Sequence, residues 1–297
     1  MAHVGVALPV RAAAARRRGT WLWTLIVPSM LLLVVFFLVP YLNMVRMSFL
    51  LKPADGPYLP QFTLNNYAKA LLDPFHWRVL FRTFWMAGLT TVLTLIFGYP
   101  LAYHLTAASG RRKRWLLMLI IAPLLMSVVV RGFAWLILLG RVGLVNQVAH
   151  WLTGRELVLI GTPTAVMIGL VHVFIPFMAL SIAGALSNIS PDVIQAARSL
   201  SASPWRTFWR IVWPLSLPGV QAGGLLVFIL AVSSYVIPIL LGNSNVLVMP
   251  MLIVQTLLDA FNWPLGSALS MVFFGLTAAT VAVFLRMMGR AMGWTRA

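Results

Sequence analysis

Apolar residues come in long unbroken runs rather than in the spaced stripes of a soluble helix bundle. Stretches without a charged side chain cover 19–45, 83–110, 115–130, 157–191, 211–258 and 260–285. A membrane-crossing helix needs about 20 mostly apolar residues, and the pattern predicts six. The third run is expected to continue past Arg131 to Gly140 as one helix. The fifth run, 211–258, is too long for one crossing. Pro214 and Pro218 at one end and Gly242-Asn243-Ser244-Asn245 near the other divide it into a helix at about 217–241, then a turn and a short segment on the outer surface. Between the first two helices, residues 50–77 hold Pro53, Gly56, Pro57, Pro60 and a polar stretch from Thr63 to Tyr67. They read as an outer loop with one short surface helix. No internal repeat is visible.

Composition supports the same class. Of 297 residues 61% are hydrophobic and only 9% charged, against about 25% charged in an ordinary soluble domain. Mean hydropathy is +0.94. A soluble protein, a disordered chain and a disulfide scaffold are all excluded, the last because there is no cysteine. The net charge of +17 need not mean nucleic acid, because membrane proteins gather Lys and Arg on their cytoplasmic side. With the N-terminus inside, the inner segments take Arg11, Arg16–Arg18, Arg111–Arg114 (Lys113 among them), Arg198, Arg206, Arg210, Arg286, Arg290 and Arg296. Four of the five acids, Asp55, Asp73, Glu156 and Asp259, then fall outside. Both termini are therefore expected in the cytoplasm. The triple arginine before the first run resembles a signal n-region, but residues 21–39 are long for an h-region and Pro40-Tyr41-Leu42-Asn43 offers no cleavage site.

Several chemistries are missing from the sequence. None of the three lysines follows a glycine, so no phosphate-cradling loop can form. Neither H-E-x-x-H nor G-x-S-x-G occurs, and no metal-ligating set is expected. His172 lies within a span. It is expected to hydrogen-bond a neighbouring helix, with a proton relay as the other reading. No acid falls within a span, so a carrier driven by bound protons or sodium is disfavoured, and the lack of a recognisable nucleophile, base or metal set disfavours an intramembrane enzyme. Transport by this chain would need energy from a partner. In the fifth helix, Gly219 and Gly223 share a face with Gly224 beside them, and small residues let membrane helices approach closely. That face is expected to meet a partner permease or to hold the fold together.

The segment between helices four and five is the most structured connector. Ser190 can cap a short helix with Pro191 at its first position and Asp192 in its first turn. Ser203 can cap a second, with Pro204 first and Trp205, Phe208, Trp209 and Val212 at helical spacing. A compact amphipathic hairpin of this kind is a docking surface.

This segment resembles the EAA loop of ATP-binding-cassette (ABC) importer permeases, whose pattern is E-A-A-x3-G-x9-I-x-L-P. Here it falls without a gap on Gln195-Ala196-Ala197, Ser201, Ile211, Trp213 and Pro214. Glu is replaced by Gln195, Gly by Ser201 and Leu by Trp213. If the family Gly marks a left-handed or tightly packed turn, Ser201 must strain or adjust. Over the stretch from about Asp73 to the C-terminus the chain resembles the spermidine/putrescine (PotB-type) permeases. Thr90-Thr91, Gly98 to Tyr103, Val130 to Trp135, Gly143 to Asn146, Val236 to Gly242 and Asn262 to Ala268 carry the likeness.

The resemblance implies an all-α integral membrane protein of the type I ABC-importer (MetI-like) permease fold in a bacterial inner membrane. It divides the chain into a basic tail (1–20), a first helix with its outer loop (21–78), a permease domain (79–290) and a short tail (291–297). The coupling loop is 187–214, with Asp192, Gln195, Ala196, Ala197, Ser201, Ile211 and Pro214 as its site residues. Ala197 is expected where the loop meets an ATPase. The implied partners are a second permease subunit, an ATPase dimer that binds the ATP, an extracytoplasmic binding protein and membrane lipid, with no nucleic acid and no cofactor of the chain's own. The substrate implied is a small organic cation. Tyr99, Tyr103, Trp135 and Tyr235 lie in or near spans and are candidates for lining its path by cation–π contact, packing or lipid contact being the alternative.

Overall fold

The computed structural model describes residues 26–53, 56 and 58–293. The basic tail 1–20, Asp55 and Arg296 lie outside the described residues. Helix α1 (Ile26–Ser48) contains a wider π-helical turn at Val34–Leu38. It falls just before Pro40, whose nitrogen has no proton to donate to the helical ladder. Strands β1 (Leu50–Leu51) and β2 (Leu59–Phe62) pair antiparallel, with Leu50 opposite Phe62. The expected surface helix is α2 (Asn65–Leu72). Asn66 is buried beneath it and donates to the carbonyls of Ser48 at 2.9 Å and Leu50 at 2.8 Å. One side chain thus ties α2 to the end of α1.

Helix α3 (Pro74–Ala107) starts where Asp73 accepts from the Phe75 N–H at 2.8 Å, with Pro74 in the first turn. Its 34 residues make about 51 Å of helix, more than a hydrocarbon core requires. Helix α4 (Gly110–Ile121) follows and ends in a 3-10 turn at Ala122–Leu125. The Ser127 hydroxyl then caps α5 (Val128–Leu139). The single helix expected over 115–140 is therefore broken. Pro123 cannot continue the α4 ladder, and Ser127 supplies a new start. Helix α6 (Leu144–Thr153) continues after a turn that demands glycine at 143, where a Cβ would overlap the carbonyl oxygens of Ile137 and Leu138.

Helix α7 (Pro163–Ser187) is followed by α8 (Pro191–Ser199) and α9 (Pro204–Val232). The expected fifth helix over 217–241 is displaced. It is continuous with the second arm of the hairpin, running from the Ser203 cap through a π-helical turn at Phe208–Val212 just ahead of Pro214. It ends at Val232, where both the Ser233 N–H and its hydroxyl bond back to the Ile229 carbonyl. The following residues are not a surface segment. Helices α10 (Val236–Gly242) and α11 (Met249–Val254) meet at an 84° bend. Ile237, Leu241, Met249 and Met251 on them are fully buried. A Cβ on Gly132 of α5 would lie 2.5 Å from Leu240, and one on Gly169 of α7 would lie 2.6 Å from Leu241, so the bent pair is wedged against both helices. Helix α12 (Trp263–Gly293) closes the chain.

Among the described residues six stretches are long and apolar enough to cross a membrane: Ile26–Ser48, Pro74–Ala107, Val128–Thr153, Pro163–Ser187, Pro204–Val232 and Trp263–Met288, with the bent pair as a seventh if it counts as one span. The core is made by α3, α7 and α9, around Met178, Ile182, Val227 and Ala102. The glycine face of α9 lies inside this core. A Cβ at Gly219 would meet Ala185 at 2.5 Å and the Ser181 carbonyl at 2.8 Å, and one at Gly223 would meet Met178 and Ser181 at 3.0 Å. These glycines hold α9 against α7 of the same chain.

Candidate functional site

The α8–α9 hairpin is built as its sequence suggests. The Ser190 hydroxyl accepts from the Asp192 N–H at 3.2 Å, with Pro191 leading α8. The Ser203 hydroxyl accepts from the Arg206 N–H at 3.3 Å, with Pro204 leading α9. Between the two helices the Leu200 N–H bonds the Ala196 carbonyl, the Ser201 N–H that of Arg198 and the Ala202 N–H that of Ala197. Ser201 sits at φ +56°, the left-handed region that favours glycine. The position where the related pattern carries Gly does require that conformation, and here a serine adopts it.

Exposure divides the hairpin residues. Asp192, Gln195, Ala196 and Ser201 face solvent, whereas Ile211 and Pro214 are half-buried. Ala197 is buried within this chain, so the expectation that it forms the outer contact surface is corrected. It sits on the inner face of α8, where its carbonyl holds the turn. The most outward apolar groups are Leu200, 83% exposed, and Trp205, with Val193 and Trp209 exposed to a lesser degree. Sequence spacing alone did not single out Leu200.

An aromatic ladder roots the hairpin in the bundle. Phe208 meets Trp209 at 5.3 Å, Trp209 meets Trp213 at 5.6 Å, and Trp213 meets Tyr99 of α3 at 5.2 Å. The Tyr99 hydroxyl shares a 2.9 Å hydrogen bond with Ser216. Trp213, a departure from the related pattern, thus has a packing role. Tyr103 also lies edge-on to Phe208, at 6.1 Å. It lines a cavity of about 470 Å³ with Thr106, Lys113, Ser187, Pro191 and Arg198. Lys113 of α4 and Arg198 of α8, expected on one side of the membrane, therefore share one end of the bundle.

The four aromatic path candidates are not gathered at one place. Tyr99 is buried, and Tyr99 and Tyr103 share Phe208. Trp135 lies 5.5 Å from the His172 ring, and both line an apolar cavity of about 640 Å³ with Leu93, Phe97 and Met167. Tyr235 is half-buried at the α9–α10 junction. His172 does not make the expected interhelical bond: its Nδ1 is buried with no hydrogen-bond partner among the described residues. Two features had no sequence signal that separates them from ordinary span residues: the burial of Arg131 and the Tyr99–Ser216 bond.

Comparison with known proteins gives consistent results. Residues 95–292 match the family described as binding-protein-dependent transport system inner membrane component. The spermidine/putrescine transport system permease protein PotB of Haemophilus influenzae is 31% identical over 256 residues, spanning 86% of this chain and 89% of the relative. A chain from the crystal structure of a bacterial ABC transporter that imports the acidic polysaccharide alginate superposes with a TM-score of 0.80 at 15% identity, over 94% of this chain and 99% of that one. A chain of the MetNI methionine ABC transporter in an inward-facing conformation gives 0.58 at 16% identity, over 74% and 98%.

Proposed function

The chain belongs to the family of binding-protein-dependent transport system inner membrane components, and from that membership we propose that it forms one half of the path by which an ABC importer brings polyamine-like organic cations across a bacterial inner membrane. The observation that carries the substrate class is the likeness to the spermidine/putrescine permease of H. influenzae over 86% of the chain. The other half is a second permease subunit. An extracytoplasmic binding protein delivers the cation, and an ATPase dimer binds and hydrolyses ATP. The sequence has no phosphate loop of its own, so the chain supplies a path and a lever.

The lever is the coupling loop, 187–214. Asp192, Gln195, Ala196 and Ser201 face outward from it, and Leu200 and Trp205 present apolar surface that no described residue covers. An apolar tip on a capped, hydrogen-bonded hairpin suits a cleft on an ATPase subunit. Ile211, Trp213 and Pro214 lie where the hairpin passes into α9. Motion of the tip is carried through the aromatic ladder to α3 and through α9 to α7, the tightly packed core. Tyr99 serves at this root. Tyr103, Trp135 and Tyr235 are the candidates that remain for contact with a passing cation. Selectivity among amines is assigned mainly to the binding protein, because no carboxylate of this chain lies in a span.

The test is reconstitution of this chain with its cognate second permease, ATPase and binding protein in liposomes loaded with ATP. ATP-dependent uptake of spermidine or putrescine is expected, with none when the second permease or the ATPase is left out. Uptake confined to solutes that are not amines overturns the substrate class. Uptake by this chain alone overturns the division of labour.

A further inference from the structure

We propose that Arg131 is the docking point for a carboxylate carried by a membrane-spanning helix of the second permease subunit, an inference that rests on reading this chain as one half of a permease pair. Arg131 is 6% exposed. Its Nε and Nη1 are sealed from solvent and have no hydrogen-bond partner among the described residues. It stands in the first turn of α5, eight residues before the helix ends at Leu139, which is about 12 Å of helix. An arginine buried within a membrane-crossing stretch is costly unless it is paired, and it marks a functional contact. Its planar fork of N–H donors matches a carboxylate bidentately.

The described residues offer no such carboxylate. Among the described residues Asp73, Glu156, Asp192 and Asp259 are all exposed, at helix ends or in connectors. The neighbouring ring cannot compensate. His172, whose ring packs on Trp135 one turn along α5, is itself left with a buried, unpartnered Nδ1. Here two polar groups in the span lack partners, and no negative charge faces them.

No described residue supplies the group, and the surroundings point to a neighbouring chain. Trp135, one turn beyond Arg131, and His172 open onto the apolar cavity of about 640 Å³ between α3, α5 and α7. On α5 itself Val129, Val130, Phe133 and Ile137 are exposed. This apolar face, with the buried, unpaired guanidinium beside it on the same helix, suits a helix that is apolar along its length and carries one acid. In a membrane such a polar pair between helices fixes register as well as contact. The transported cation is not the ligand, because it carries the same sign of charge as Arg131.

The experiment co-expresses this chain with its cognate second permease and recovers the pair through a tag on this chain. Arg131→Gln and Arg131→Glu are expected to lower the recovered partner at least about tenfold. Arg131→Lys, which keeps the charge but not the fork, is expected to lose less. In the Arg131→Glu background each Asp or Glu within the partner's spans is then replaced by Arg. Restoration of the pair by one of these replacements is the expected result, and it counts even if Arg131→Glu alone inserts poorly. Failure of every replacement overturns the proposal. So does an undiminished pair with Arg131→Gln, which would mean that Arg131 serves an anionic lipid or solute instead. If the wild-type chain recovers no second permease at all, the reading of the chain as half of a pair falls, and this proposal with it.

Discussion

Helices α1 and α7 are almost equally apolar, and either passes any test of length and hydropathy for a membrane crossing. In the fold they have opposite fates. The most apolar stretch of α7 is 61% buried inside the chain, and that of α1 is 0% buried. Helix α7 lies between α3 and α9, with Gly98, Gly219 and Gly223 of its neighbours facing Met178, Ser181 and Ala185. Helix α1 stands at the edge, touching α12 through Tyr41 and Phe274, whose rings are 6.3 Å apart. Its exposed Leu31, Phe36 and Phe37 suit lipid as well as protein. Because lipid tails are as apolar as leucine, hydrophobicity does not select which helices pack together in a membrane. Close approach at small residues does.

The largest effect is expected where that approach is tightest. Gly219→Leu should leave little folded protein, and Gly219→Ala should lower stability by about 1–3 kcal/mol, because the backbone carbonyl of Ser181 cannot yield. Gly184→Ala, on exposed α7 surface with nothing within 4 Å of the new methyl, should be neutral or stabilising by up to about 1 kcal/mol. Thermal unfolding in detergent ranks the three. Equal effects of Gly219→Ala and Gly184→Ala would break the contrast between packed and open faces.

At the edge, Asn66→Ala removes the bonds to the Ser48 carbonyl at the end of α1 and to the Leu50 carbonyl of β1, a cost of about 1–3 kcal/mol. Hydrogen exchange should quicken across 49–72 while the α3–α7–α9 core keeps its protection. The root of the hairpin lies between these extremes. Tyr99→Phe forfeits the bond to Ser216, for about 1 kcal/mol, and should lower the melting temperature without moving protection at the edge. The smallest change is at the exposed turn. Ser201→Gly relieves the left-handed strain but frees the unfolded chain, so stability should change by less than about 1 kcal/mol. Ser201→Val should be the more harmful, and a melting comparison of the two shows whether the turn conformation is required.

What the sequence reveals follows from how local each decision is. The caps at Ser190 and Ser203, each with its following proline, are settled within four residues, and both helices start where they indicate. The left-handed turn at Ser201 was foreseeable from a related pattern that places glycine there. Proline inside an apolar run is not a local decision. Pro100, Pro176 and Pro218 lie inside continuous helices, whereas Pro123 stands where α4 gives way to a 3-10 turn. All four stand in similarly apolar stretches, so a single run of letters does not separate the continuous helices from the broken one. The same holds for 233–259, where burial against Gly132 and Gly169 of distant helices folds an apolar stretch into a bent pair rather than letting it lie on the surface. Arg131 looked like an interruption in a span. Only the fold shows that it is buried and unpaired.

The central claim is that the α8–α9 hairpin is the end of the chain that engages an ATPase. The chain contains no cysteine, so one introduced thiol reports from one place. Leu200→Cys at the hairpin tip and Val142→Cys, 88% exposed between α5 and α6, are each loaded with a thiol-attached photo-crosslinker in membranes containing the assembled transporter. The account predicts that Leu200→Cys captures the ATPase subunit and Val142→Cys does not. Capture of the ATPase from position 142 with none from position 200 would contradict it.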